Sequence, residues 1–98
     1  MPPTFERADR FSRDWKKLSP DQRTQFRAAA SEFVSDLRAK KLPRPSLRVK
    51  RVQGTDAVWE MTWAADGRAT FTYGPEIKPG ETHVQWRRVG THDILDRP

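Results

Sequence analysis

Apolar side chains recur at helical spacing through the N-terminal part of the chain and at strand spacing through the rest. Pro2 and Pro3 give an irregular start, and Thr4–Arg7 reads as a short strand. From about Asp9, Phe11, Trp15 and Leu18 fall at i, i+4 and i+7 and share one helical face. Ser19, Pro20 and Gln22 then form a helix start, with Ser19 as N-cap, Pro20 at the first helical position and Gln22 completing a capping box. The second helix carries Phe26, Ala30, Phe33 and Leu37 on one stripe. Basic residues at its end suit the helix dipole, and Pro43 and Pro45 stop it.

After Pro45 the period becomes two. Leu47–Val52 reads as a strand, Gly54, Thr55 and Asp56 as a turn, and Val58–Trp63 as the next strand. Asp66 and Gly67 mark a hairpin leading into Arg68–Tyr73; residues 75–80 form a loop, and Thr82–Val89 is a final strand. Helices followed by a run of strands predict a single α+β domain, an N-terminal helical hairpin packed on one face of an antiparallel β-sheet. Trp59, Met61, Trp63, Phe71 and Tyr73 are expected to face the helices. Glu60, Thr62, Arg68, Thr70 and Thr72 would then line an uncovered face, joined by Arg48 and Lys50.

Charge sharpens this picture. The 98 residues hold 19 Lys and Arg against 13 Asp and Glu, a net +6. The excess lies in residues 1–50, with thirteen basic and six acidic side chains, against six and seven in residues 51–98. Between Arg38 and Arg51 stand Arg38, Lys40, Lys41, Arg44, Arg48, Lys50 and Arg51 with no acid among them. Such a stretch attracts polyanions; Lys40, Lys41, Arg44, Arg48, Lys50 and Arg51 from it, with Arg87 from the last strand, are the candidate RNA-binding residues. Cysteine is absent, which excludes a disulfide framework, a thiol nucleophile and a Cys-based zinc site. No apolar run approaches the ~20 residues of a membrane span and no signal pattern opens the chain, so cytoplasm is the expected compartment.

The order of the segments resembles the RelE/ParE toxin superfamily over nearly the whole chain. The resemblance is carried by residues 11–18 (FSRDWKKL), 47–54 (LRVKRVQG), 58–61 (VWEM), 67–71 (GRATF) and 88–93 (RVGTHD). It implies a bacterial type II toxin held inactive by a cognate acidic antitoxin. It also implies an endoribonuclease that cuts mRNA on the ribosome, by attack of a ribose 2′-OH on the adjacent phosphorus, without metal or cofactor. Carried over to this chain, Arg68 would hold the scissile phosphate, His92 would protonate the leaving oxygen, and Glu60 would serve as base or as partner to a nearby Arg. The chain departs from the pattern in having Glu60 and Thr62 where some relatives carry Lys. It also lacks the late aromatic that many members stack on a base; Trp86 or Tyr73 would have to substitute, and His83 stands in reserve. A ParE-like inhibitor that binds a protein target and a non-catalytic nucleic-acid-binding module are the competing readings.

Overall fold

The computed structural model describes residues 3–98. Met1 and Pro2, and with them part of the irregular start expected there, lie outside the described residues. In chain order come β1 (Thr4–Arg7), α1 (Asp9–Lys17), α2 (Pro20–Arg38), β2 (Lys50–Arg51), β3 (Trp59–Thr62), β4 (Gly67–Gly74) and β5 (His83–Thr91). Short 3-10 turns occupy Pro45–Leu47 and His92–Asp96.

The start of α2 follows from Pro20 at its first position and a capping box formed by Ser19 and Gln22. The Ser19 hydroxyl accepts from the Gln22 amide at 3.1 Å, and the Gln22 side chain accepts from the Ser19 amide at 2.8 Å. Two of the helix's otherwise unpaired donors are thereby satisfied. Arg23 secures the turn between the helices by donating to the carbonyls of Trp15 at 3.2 Å and Lys16 at 3.4 Å.

The strands form one sheet in the order β1-β5-β4-β3-β2. Its β2–β3, β3–β4 and β4–β5 pairs are antiparallel, as expected, whereas β1 runs parallel to β5, with Thr4 opposite His83 and Arg7 opposite Trp86. The sheet is therefore mixed. His83 fastens this parallel edge: buried in the sheet, it places Nδ1 2.7 Å from the Thr4 hydroxyl and Nε2 3.2 Å from the Glu6 carboxylate. Hydrogen bonds from Gln85 and then His83 hold the Glu6 carboxyl below its ordinary value.

The core lies between the helices and one face of the sheet. Phe11, Phe26, Phe33, Phe71 and Trp86 form a continuous group of rings with centroids 5.1–6.0 Å apart, edge-on or tilted. Each such pair adds about 0.5–1.5 kcal/mol to the area it buries. Trp63 closes the hairpin end by lying on Gly67, where a Cβ would come within 2.5 Å of the indole. Only glycine fits there. Among the expected core residues, Tyr73 instead remains 42% exposed beyond the covered area.

Two expectations are corrected by backbone geometry. The strand expected over Leu47–Val52 shrinks to Lys50–Arg51, because Pro45 opens a 3-10 turn and Arg48 ends it in the left-handed region at φ 47°. The face expected to be uncovered is instead partly roofed by the segment after β5. Thr70 is fully buried and Glu60 is 6% exposed. The Thr70 hydroxyl and the Arg87 Nε donate to the Pro98 carbonyl at 3.2 and 3.0 Å. Arg10 and Arg88 donate to the Arg97 carbonyl at 2.7 and 3.3 Å. Register also slips by one residue, since Thr70 pairs with Arg88 but Phe71 with Trp86. This bulge leaves Arg87 without an opposite residue, which frees it and Arg88 to reach the roofing segment.

Candidate active site

Glu60 sits in the middle of β3, directly across from Lys50 on β2 and Thr70 on β4. The segment after β5 turns over this row and brings His92 to it. His92, Glu60, Lys50 and Arg51 line one cleft of ≈ 470 Å³, together with Val52, Gln53 and Leu95. A buried carboxylate, an exposed imidazole and two exposed cations thus open on the same space. That set contains a proton acceptor, a proton donor and counter-charges for an anion. Val52, Gln53 and Leu95 are the lining residues that the sequence pattern did not single out as site residues. Leu95 joins His92 because residues 92–96 form a 3-10 turn, in which side chains at i and i+3 eclipse.

Arg68 lies elsewhere. Its guanidinium turns back over the β3–β4 hairpin, and Nη1 donates to the carbonyls of Gly67 at 2.9 Å, Ala65 at 3.3 Å and Ala64 at 3.4 Å. It lines a separate cleft of ≈ 390 Å³ with Arg48, Thr62 and Trp63. The structure therefore does not bring Arg68 together with His92 and Glu60. The physical reason is a set of free turn carbonyls within one side chain's reach, which a guanidinium satisfies locally.

The remaining basic residues separate in the same way. Arg44 is held against α2: it donates to Asp36 from Nε at 3.0 Å and Nη2 at 2.9 Å, and to Glu32 from Nη1 at 3.0 Å. Hydrogen bonds from the Arg44 side chain and amide hold the Asp36 carboxyl below its ordinary value, and Asp36 in turn raises the Arg44 guanidinium. Lys40 donates to the Gly80 carbonyl and pairs with Glu81 at 3.6 Å. Lys41 is exposed at the end of α2, and Arg87 reaches the Pro98 carbonyl. Only Lys50 and Arg51 of the seven expected RNA-binding residues open on the Glu60–His92 cleft.

Neither aromatic expected to substitute for a stacking residue lines that cleft. Trp86 is 6% exposed within the ring cluster. Tyr73 rests edge-on against Trp59 with centroids 5.9 Å apart, and burial raises its phenol. His83 is committed to Thr4 and Glu6 at the far edge of the sheet. Among the described residues no group of three His, Asp or Glu is placed to hold a metal ion, and no helix is long and apolar enough to cross a membrane.

The architecture is that of RelE-like toxins. A chain of the E. coli DinJ–YafQ toxin–antitoxin complex superposes with a TM-score of 0.68 at 15% identity, covering 97% of this chain and 98% of that one. YafQ from E. coli strain BL21(DE3) gives 0.65 at 16% identity over 95% and 97% of the two chains. The RelB–RelE antitoxin–toxin complex from Methanococcus jannaschii gives 0.61 at 15% identity over 95% and 94%. No protein-family model and no curated protein matches the chain. At these identities the likeness is one of fold, two helices on a five-stranded mixed sheet.

Proposed function

We propose that the protein is the toxin of a type II toxin–antitoxin pair and an endoribonuclease that cuts mRNA at the ribosome. The carrying observation is the cleft that joins Glu60, His92, Lys50 and Arg51 on a RelE-like fold. In this reading Glu60 takes the proton from a ribose 2′-OH, and the 2′-oxygen attacks the adjacent phosphorus. The bond from phosphorus to the 5′-oxygen breaks, and His92 delivers a proton to that oxygen. The products are a 2′,3′-cyclic phosphate and a 5′-OH, so atoms and charge balance without water. Lys50 and Arg51 offset the charge that grows on the phosphoryl oxygens. Leu95 and Gln53 face the base, one by apolar contact and the other by hydrogen bonding.

Arg68 has a different part in this scheme. It clips the hairpin that carries β3, and so holds Glu60 in place from outside the cleft. The resting partner is an acidic antitoxin that covers the exposed cations, as charge complementarity requires. The test is incubation of the purified chain with RNA, with and without ribosomes, followed by analysis of the ends. Fragments ending in a 2′,3′-cyclic phosphate, and lost in His92→Ala, are expected. Intact RNA under both conditions would leave the protein-binding alternative standing instead.

A further inference from the structure

A third cleft, of ≈ 520 Å³, opens between α1 and the segment that follows β5. Its lining comprises Arg10, Arg13, Lys16 and Lys17 from α1 with Arg88 and Arg97, against the single carboxylate of Asp14. That carboxylate is already committed, because Asp14 accepts from Arg88 at 2.8 and 3.0 Å and from the Val89 amide at 3.2 Å. Arg13, Lys16, Lys17 and Arg97 are exposed. The charge excess of the N-terminal half therefore surfaces here, rather than at Arg44, whose charge Asp36 and Glu32 match.

Resting on the ribonuclease reading above, we infer that this cleft is a second phosphate track, which holds the RNA backbone flanking the segment in the Glu60–His92 cleft. Two observations favour RNA over an acidic protein. The first is continuity: residues 92–97 give His92 and Leu95 to one cleft and Arg97 to the other, so a strand leaving the first crosses directly onto the second. The second is the absence of an anchor. Among the described residues the exposed large apolar side chains are Phe5, Leu42, Tyr73 and Ile77, and none lines this cleft. A protein interface centres on buried apolar contacts, whereas a phosphate track needs only cations in a row. Arg10, Arg13 and Lys16 supply that row at three-residue steps along α1, about 9 Å end to end.

The experiment uses the whole chain carrying Arg13→Ala with Lys16→Ala, two exposed helix positions where alanine is well tolerated. Cleavage is followed on RNA of about 20 nucleotides and of about 4, the latter near the smallest single-strand footprint of a small domain. KM for the long RNA should rise several-fold with kcat unchanged, and both constants for the short RNA should stay as they were. The salt dependence of long-RNA binding should flatten by about 1.4 log units per log unit of salt, since two phosphate contacts are lost. In the unaltered protein, formaldehyde should cross-link the long RNA to Lys16 or Lys17. An unchanged KM and slope, in a background where Lys50→Ala with Arg51→Ala weakens binding, would overturn the track and leave the ribonuclease reading intact. If neither pair of substitutions matters, the track falls and so does the placing of phosphate at Lys50 and Arg51, whereas absence of cleavage in the unaltered protein is what would remove the ribonuclease reading. Loss of a bound acidic protein in the α1 variant, with RNA handling unaltered, would assign the cleft to that protein and overturn the track.

Discussion

Asp14 on α1 and Arg88 on β5 form a two-point ion pair, with Arg88 Nε and Nη2 donating at 2.8 and 3.0 Å. Asp14 is 7% exposed and also accepts from the Val89 amide at 3.2 Å. One carboxylate thus ties the first helix to the last strand. Through its remaining nitrogen Arg88 reaches the Arg97 carbonyl and steadies the segment that carries His92.

Removing this carboxylate leaves a largely buried guanidinium unmatched. Asp14→Ala should lower unfolding free energy by about 3 kcal/mol, at the lower end for a broken buried pair because Arg88 keeps some contact with water. Urea unfolding at neutral pH measures it. A loss under about 0.5 kcal/mol, the range of ordinary surface changes, would contradict the role given to the pair.

The same residue sets a pH dependence. Burial alone would raise the Asp14 carboxyl, but hydrogen bonds from Arg88 and Val89 outweigh it and hold the group below its ordinary 3.8. A depressed folded value means that its stabilisation is complete above the unfolded value. It disappears as pH falls through the folded one. Asp36 behaves alike beside Arg44. Stability should therefore fall steeply below about pH 4, and less steeply in Asp14→Asn, in thermal melts taken across pH 2–6.

His92→Ala and Glu60→Gln should each reduce cleavage by about 10²–10⁴, the usual contribution of a positioned acid or base. His92 is exposed, so its variant should melt as the parent does. Undiminished cleavage by both folded variants would remove them from the mechanism.

Arg68→Ala separates the hairpin role from phosphate contact. Loss of a clip on turn carbonyls should cost about 0.5–1.5 kcal/mol, with cleavage reduced far less than in His92→Ala. Equal loss of rate in a stable Arg68→Ala protein would return Arg68 to the scissile phosphate.

Gly67→Ala tests the packing beneath that clip. The new methyl would meet the Trp63 ring at 2.5–2.8 Å, so the indole must shift within a filled core. The expected cost is about 1–3 kcal/mol. Tryptophan fluorescence and the urea midpoint should change together, and an unaltered midpoint would show that the ring yields freely.

Local chemistry was legible in the chain, and distant pairing was not. The Ser19–Gln22 box is written in four consecutive residues, and it forms as read. Met61, Ala69 and Phe71 alternate as read and are fully buried. Lys50 and Glu60 lie ten residues apart across one turn, so their shared cleft follows from hairpin register. The direction of β1 could not be read, because its partner lies 79 residues along and period-two alternation is the same in parallel and antiparallel strands. Asp14 occupied a polar position on a helix that looked solvated; only the path of β5 reveals that Arg88 covers it. The side-chain direction of Arg68 could not be read either. Its strand position was right, but a flexible side chain found carbonyls nearer than the cleft.

The parallel β1–β5 edge has a consequence for the order in which the chain matures. β1 leaves the ribosome early, yet its partner residues 83–86, and His83 that clamps it, follow some eighty residues later. At about 5–20 residues per second that interval is roughly 4–16 s. During it the helices can form, but the sheet lacks the strand that joins β1 to β4, and residues 92–97 have not yet closed the Glu60–His92 cleft. The Glu60–His92 cleft therefore exists only after the last strand has emerged and paired, and the ribonuclease proposed above would stay inactive for most of the chain's synthesis.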